Sequence, residues 1–194
     1  MENKFNILLD PLPQEWNGYP IDSDFQTGIQ MYWIMEDGEM TVYEKVLHAG
    51  RMLFPKRLPE SMDDVAEAIA WFLQGWNTDH PGREKQEKPV MDFQMDQWRI
   101  WAAFRRQYQI DLNKDILHFW VFMALLRNLD ECSLTRVAEI RGKKLGAKMS
   151  AEERKAYAEA KAIYALDKQQ EQHEFTPGEI EMIDAFDAMH RKAK

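Results

Sequence analysis

The chain has 194 residues, and its 33 acidic side chains against 25 basic ones give a formal net charge of −8. This balance argues against sequence-independent binding of nucleic acid, which depends on neutralising phosphates with Lys and Arg. The single Cys132 excludes an intrachain disulfide, and the lack of a long apolar run or signal peptide predicts a soluble protein in a reducing cytoplasm, without a membrane span.

The N-terminal region, about residues 7–22, carries the signals of a small β-hairpin. Asn17-Gly18 stands between the aromatic residues Trp16 and Tyr19. Asn-Gly favours the positive backbone angles of the tightest hairpin turns. We therefore predict one hairpin ahead of the helical part of the chain.

Three helices are predicted between the hairpin and residue 76. The first and third have a candidate capping residue at the start and apolar side chains at steps of three and four. The first begins after Ser23 or Asp24, the second runs from Thr41 to Phe54, and the third begins after Ser61.

Residues 77–90 are polar and contain both Pro and Gly, so they predict an exposed, mobile connection. The next apolar period predicts an amphipathic helix reaching Tyr108, with Asp92 and Asp96 in its first turns, where the helix dipole favours negative charge.

The segment from Asp111 to Leu129 is apolar on nearly all sides. This pattern predicts a long, buried, central helix. His118 falls within it, and we interpret His118 as a hydrogen-bonded structural residue because no other His or Cys stands at metal-ligand spacing.

The C-terminal part is also predicted to be helical. Residues 133–141 indicate a short helix, and Ser150 with Glu153 forms a capping-box pattern that opens another. We predict one helical domain over residues 1–166, followed by a linker and helix over residues 167–194. The predicted fold is an all-α multi-helix domain with a small N-terminal hairpin.

Three carboxylates offer a rival, enzymatic interpretation. Asp92, Asp96 and Asp111 could form a divalent-ion or acid–base site, but each also stands where a helix terminus favours an acidic residue. Because the sequence has no nucleophile elbow, dinucleotide fingerprint or phosphate loop, we expect neither catalysis nor a cofactor.

The composition indicates protein–protein contact instead. The chain holds seven Trp, ten Phe, six Tyr and twelve Met, residue types that fill cores but are also enriched at partner-binding surfaces. Core packing and a groove for a helical or extended partner both remain open for each of them. The aromatic candidates for such a groove are Trp71, Trp76, Trp98, Trp101, Phe119 and Trp120.

A local cluster of basic residues stands out in this acidic chain. Arg141, Lys143 and Lys144 lie at and just after the predicted short helix. They form either a solvated surface or a docking site for an acidic partner.

Several ordered motifs resemble the bacteriophage gene-product-fifteen family of long-tailed phages and prophages of Gram-positive bacteria. The resemblance spans roughly residues 6–166, with Phe119 and Gln109 at positions where the family usually has Trp and Gly. The segments that carry it are 8–13, 18–21, 24–25, 91–96, 103–112, 117–126 with Leu129, 139–141 and 161–164.

The family's genes typically lie just upstream of the tape-measure gene. The resemblance therefore implies a tail assembly chaperone that coats the tape-measure protein and recruits tail-tube subunits in the host cell cytoplasm. It further implies self-association into a homo-oligomer and contact with another tail assembly chaperone, but no catalytic residues. The alternative is a structural tail or connector component that is retained in the virion.

Overall fold

The computed structural model describes residues 5–76, 89–146 and 149–166. Within these ranges the chain forms one two-stranded hairpin and seven helices, which confirms the predicted all-α class. None of these helices is long and apolar enough to cross a membrane. The elements are β1 (Glu15–Trp16), β2 (Tyr19–Pro20), α1 (Phe25–Glu36), α2 (Val42–Leu53), α3 (Met62–Gln74), α4 (Gln97–Gln107), α5 (Phe119–Arg127), α6 (Ser133–Gly142) and α7 (Ala151–Ile163).

The chain divides into two compact units, Met1–Gly142 and Lys143–Lys194. The first contains the hairpin and helices α1 to α6, and the second contains α7. The predicted C-terminal helix and most of the predicted mobile connection lie outside the described residues. The predicted boundary after residue 166 lies at the end of those residues. All three stay predictions.

The hairpin turns at the predicted dipeptide. Asn17 and Gly18 have φ angles of 47° and 81°, and Trp16 pairs with Tyr19 across the antiparallel strands. Two successive positive φ angles suit the right-handed twist of a hairpin and explain why Asn-Gly occupies the turn.

Most predicted helix starts are confirmed because a side-chain cap fixes each of them. A cap satisfies first-turn N–H groups that have no partner within the helix. The capping residues are Asp24 for α1, Thr41 with Glu44 for α2, Ser61 for α3, and Ser150 with Glu153 for α7.

The prediction of one long helix from Asp111 to Leu129 is wrong. Asp111 opens a tight turn instead, in which its carbonyl accepts from the N–H groups of Lys114 and Asp115, both at 2.8 Å. The chain then continues outside any helix to His118, the N-cap of α5, which has an extended backbone. Only the second half of the apolar segment is therefore helical.

Backbone pairing explains where α5 begins. The Phe25 N–H donates to the Leu117 carbonyl at 2.9 Å, and the Phe119 N–H donates to the Ser23 carbonyl at 2.8 Å. These bonds form an isolated antiparallel bridge between Asp24 and His118. The first residue of each helix therefore bonds to a residue just before the other helix, and the two helices begin side by side.

Helix α4 also begins later than predicted. The Asp92 carboxylate accepts from the N–H groups of Gln94 and Met95 in a preceding turn, and the helix itself starts at Gln97. Asp96 stands at its N-cap without a side-chain capping bond. Its carboxylate faces other partners, described below.

The core of the first unit is aromatic. Phe72, Phe104, Phe119 and Phe122 are fully buried. The Phe119 ring lies so close to Gly28 of α1 that a Cβ there would overlap it. Glycine at this position lets α5 pack directly on the backbone of α1.

Candidate functional site

The predicted aromatic set separates into core and surface residues. Phe119 is fully buried and Trp120 is 4% exposed. The Trp120 indole N–H donates to the Phe72 carbonyl at 2.7 Å, and Trp71 packs edge-on against the Trp120 ring. These three side chains mainly hold the fold together.

A groove between α1 and α4 contains the most exposed tryptophans. We call it the α1–α4 groove, and its volume is about 350 Å³. Trp98 is 72% exposed and Trp33 is 44% exposed, while Trp101 packs edge-to-face against Trp98 with ring centroids 6.2 Å apart. The lining residues are Phe25, Gln26, Ile29, Gln30, Trp33, Phe93, Gln97, Trp98, Ile100, Trp101, Leu112, Asn113 and Phe122.

The floor of the α1–α4 groove is part of the core. Phe122 stacks on Phe25 and on Phe104, with ring centroids 4.9 and 5.1 Å apart. Because these rings are fixed by packing, the groove is formed before any partner arrives. A preformed apolar floor lowers the ordering cost of binding.

The polar part of this groove is uncharged. Its polar lining consists of Gln26, Gln30, Gln97 and Asn113, with no acidic or basic side chain among the lining residues. Carboxamides both donate and accept hydrogen bonds. The groove therefore suits a partner that buries apolar side chains and offers uncharged polar groups beside them.

A second, larger groove of about 750 Å³ lies between the N-terminal segment and α5. We call it the N-terminal groove. Trp76 lines it, with its indole N–H bound to the Leu73 carbonyl at 2.9 Å, and the Arg127 guanidinium lies 5.6 Å from the Trp76 ring centroid. The lining residues are Phe5, Asn6, Ile7, Leu8, Leu12, Gly75, Trp76, Trp120, Val121, Ala124, Leu125, Arg127 and Asn128.

The structure engages Asp96 in a buried ion network. The Asp96 carboxylate is fully buried and accepts from Arg141 at 2.5 and 3.2 Å and from Arg99 at 2.9 Å. Burial would raise the pKa of Asp96, but the hydrogen bonds from Arg141 and the Asp92 N–H and the two guanidinium charges outweigh it and lower that pKa. Asp96 is thus a structural anion.

Asp111 is engaged separately. Its carboxylate accepts from the Trp101 indole N–H and from the Asn113 N–H, both at 3.2 Å, and these bonds lower the pKa of Asp111. Across the described ranges, no group of three or more His, Cys, Asp or Glu residues is arranged to hold a metal ion. The carboxylates of Asp92, Asp96 and Asp111 each accept hydrogen bonds from a different set of groups.

Arg141 was predicted to lie on an exposed basic surface with Lys143 and Lys144, and this prediction is wrong for Arg141. Its side chain is only 6% exposed, and it donates to the Val90 carbonyl at 3.0 Å in addition to Asp96. The charge pattern alone could not reveal that an acidic partner stands 45 residues earlier. Arg141 instead joins α6 to the residues that precede α4.

Lys143 and Lys144 belong to the second unit. The Lys143 ammonium lies 5.4 Å from the Tyr157 ring centroid, and the Lys143 carbonyl accepts from the Lys161 ammonium at 2.6 Å. Lys144 is exposed. Their role in docking an acidic partner stays a prediction.

His118 is hydrogen-bonded through both ring nitrogens. Nδ1 accepts from the Trp120 N–H at 3.0 Å, so the neutral ring carries its proton on Nε2, which donates to the Pro13 carbonyl at 3.0 Å. Burial lowers the pKa of His118, and the bond to Pro13 offsets part of that effect. His118 therefore has the hydrogen-bonded structural role that was predicted. It has that role as the N-cap of α5, whereas the prediction placed it inside the helix.

We predict that His118→Asn reduces the loss of folding stability that the wild type shows as the pH falls. Because the folded pKa lies below the ordinary value of 6.5, the unfolded state takes up the proton first. The stabilisation by neutral His118 is complete above that value and is lost as the pH falls. Asn still caps α5 but does not titrate. Urea unfolding at about pH 7.5 and about pH 5.5 measures the difference.

The exposed His48 on α2 provides the matched control. His48→Asn should retain the wild-type loss of stability on acidification. An equal pH dependence in the wild type and in His118→Asn would contradict this account of the α5 cap.

A family model described as bacteriophage Gp15 protein matches residues 8–166 of the chain. The match covers both grooves, except for the residues before position 8, and includes the whole of α7. The comparisons found no match among curated proteins or solved structures.

Proposed function

The chain belongs to the bacteriophage Gp15 protein family, which makes it a phage structural or morphogenesis protein, and we propose that it is a tail assembly chaperone. In this role it binds the tape-measure protein and helps to recruit tail-tube subunits in the host cell cytoplasm. The observation that carries the proposal is the preformed α1–α4 groove with two exposed tryptophans, Trp33 and Trp98.

The shape and chemistry of the α1–α4 groove suit a helical client. A helix that lays its apolar stripe into such a groove contacts it through residues spaced three and four apart. Trp33 and Trp98 supply large contact areas with few rotatable bonds. A long, helix-prone chain such as a tape-measure protein would otherwise expose such stripes and aggregate.

The net charge supports the same role. A formal charge of −8 keeps the protein soluble while it carries an apolar client. The uncharged groove limits electrostatic selection, so one groove can accept successive segments of a long client. We propose that many copies act together on one client, alongside another tail assembly chaperone.

We predict that Trp98→Ala lowers the capture of the tape-measure protein by about tenfold or more, because a central tryptophan is the usual anchor of such an interface. The side chain is largely exposed, so the variant should fold normally. The measurement is affinity purification of the tagged protein from an induced lysogen, with quantification of the copurifying tape-measure and tail-tube proteins.

Tyr43→Ala is the matched control, since Tyr43 is 62% exposed and does not line the groove. It should capture the client as the wild type does. Finished particles are assayed for the same protein: a chaperone is absent from them, whereas stoichiometric presence in virions would favour the structural tail or connector alternative. Capture of neither tail protein by the wild type would overturn the proposal.

A further inference from the structure

Three consecutive apolar side chains project from the N-terminal turn. Ile7, Leu8 and Leu9 are 55%, 86% and 82% exposed. Exposed apolar residues that adjoin one another on a soluble protein mark surfaces that contact another molecule. We call Asn6–Asp10 the N-terminal knob.

Hydrogen bonds hold the N-terminal knob in one conformation. The N–H groups of Leu9 and Asp10 donate to the Asn6 carbonyl at 2.9 and 2.8 Å. The Leu8 N–H donates to the Asn6 side chain at 3.0 Å, and the Asn6 N–H donates to the Asp10 carboxylate at 2.8 Å. A turn bonded in this way presents its leucines without a large ordering cost on binding.

The knob lies beside the N-terminal groove, and Ile7 and Leu8 form part of that groove's wall. The groove offers Trp76, Val121 and Leu125 as apolar contacts. The knob does not fill the groove of its own chain, because Leu8 remains largely exposed. A projection and a recess side by side on one face form a self-complementary surface, which a two-fold axis can pair with itself.

The charges at this face are also complementary. Asp10 is the one charged residue of the knob, and Arg127 is the one charged residue among those that line the groove. When a knob enters the groove of another copy, opposite charges approach one another on both sides of the axis.

We propose that this face is a two-fold interface between copies of this chain, in which each N-terminal knob occupies the N-terminal groove of the other copy. The partner is a second copy rather than the client because both halves of the contact, apolar and charged, are present on the same face. This interface leaves the α1–α4 groove of each copy free for its client, since the two grooves share no lining residue.

The test is sedimentation equilibrium of the purified 194-residue chain up to about 100 μM, where association of micromolar strength is measurable. The wild type should be a dimer, and Leu8→Glu should raise the dimer dissociation constant by more than about tenfold. Ile116→Glu is the control, because Ile116 is 90% exposed and lines neither groove; it should leave the dimer intact.

A pair of substitutions at Arg127 tests the charge contact without disturbing the bonds within the knob. Arg127→Glu should weaken the dimer more than the uncharged Arg127→Gln does, because only Arg127→Glu places a negative charge opposite Asp10. A monomeric wild type, a dimer that Leu8→Glu leaves unchanged, or an Arg127→Glu dimer no weaker than that of Arg127→Gln would overturn the proposal. The assay contains no tape-measure protein, so its failure is distinct from a failure of client capture.

Discussion

Replacing Asp96 with Ala should lower the free energy of unfolding by about 3–5 kcal/mol, because it leaves a buried guanidinium without its counter-charge. Arg141 is 6% exposed and makes two hydrogen bonds to this carboxylate. The Asp92 N–H also loses its acceptor. Urea unfolding at neutral pH, followed by far-ultraviolet circular dichroism, measures the change.

Glu131→Ala provides a matched control for this prediction. Glu131 also pairs with an arginine of α6, Arg136, at 2.9 Å, but the two side chains are 75% and 68% exposed. An exposed ion pair contributes about 0–1 kcal/mol. If Asp96→Ala lowers the free energy of unfolding by no more than Glu131→Ala does, the buried ion pairs of Asp96 do not stabilise the packing of α6 on α4.

The starts of α1, α2, α3 and α7, which were predicted from the sequence, are fixed by local chemistry. Thr41 with Glu44 and Ser150 with Glu153 each form both bonds of a capping box. These bonds span three residues, so the sequence contains all the information needed to predict them. The Asn17-Gly18 turn was predictable for the same reason.

The start of α5 was not predictable in this way, because it depends on a distant segment. The apolar residues around Ile116 and Leu117 are compatible with a helix, but the Leu117 carbonyl bonds to the Phe25 N–H. A pairing between residues 92 positions apart leaves no local signal, and it overrides the helical period. His118 could have been recognised as a boundary only with that pairing known.

Trp98 and Trp101 were two of the six aromatic residues for which the sequence left both core packing and a groove position open, and both line the α1–α4 groove. The sequence could not rank their exposure, since both fall on one amphipathic helix. Trp33 was not among the six candidates, and only the approach of α4 to α1 places it in the groove wall.

Phe119→Ala should lower the free energy of unfolding by about 3–5 kcal/mol, the range for truncating a fully buried phenylalanine. The Phe119 ring packs on Phe72 and Tyr32, with centroids 5.2 and 6.0 Å apart, and on the backbone of Gly28. Few atoms could move to fill the cavity, because these neighbours are themselves packed. Thermal and urea unfolding of the variant measure the loss.

Trp98→Ala makes the decisive comparison, since sequence analysis placed Phe119 and Trp98 in the same candidate set. Trp98 is 72% exposed, so its removal should cost under about 1 kcal/mol of stability, mostly its edge contact with Trp101. The two variants should therefore have opposite profiles: Phe119→Ala weakens folding, whereas Trp98→Ala weakens client capture. Equal losses of stability would mean that the wall of the α1–α4 groove is part of the core, and Trp98 would then have no separate role in binding.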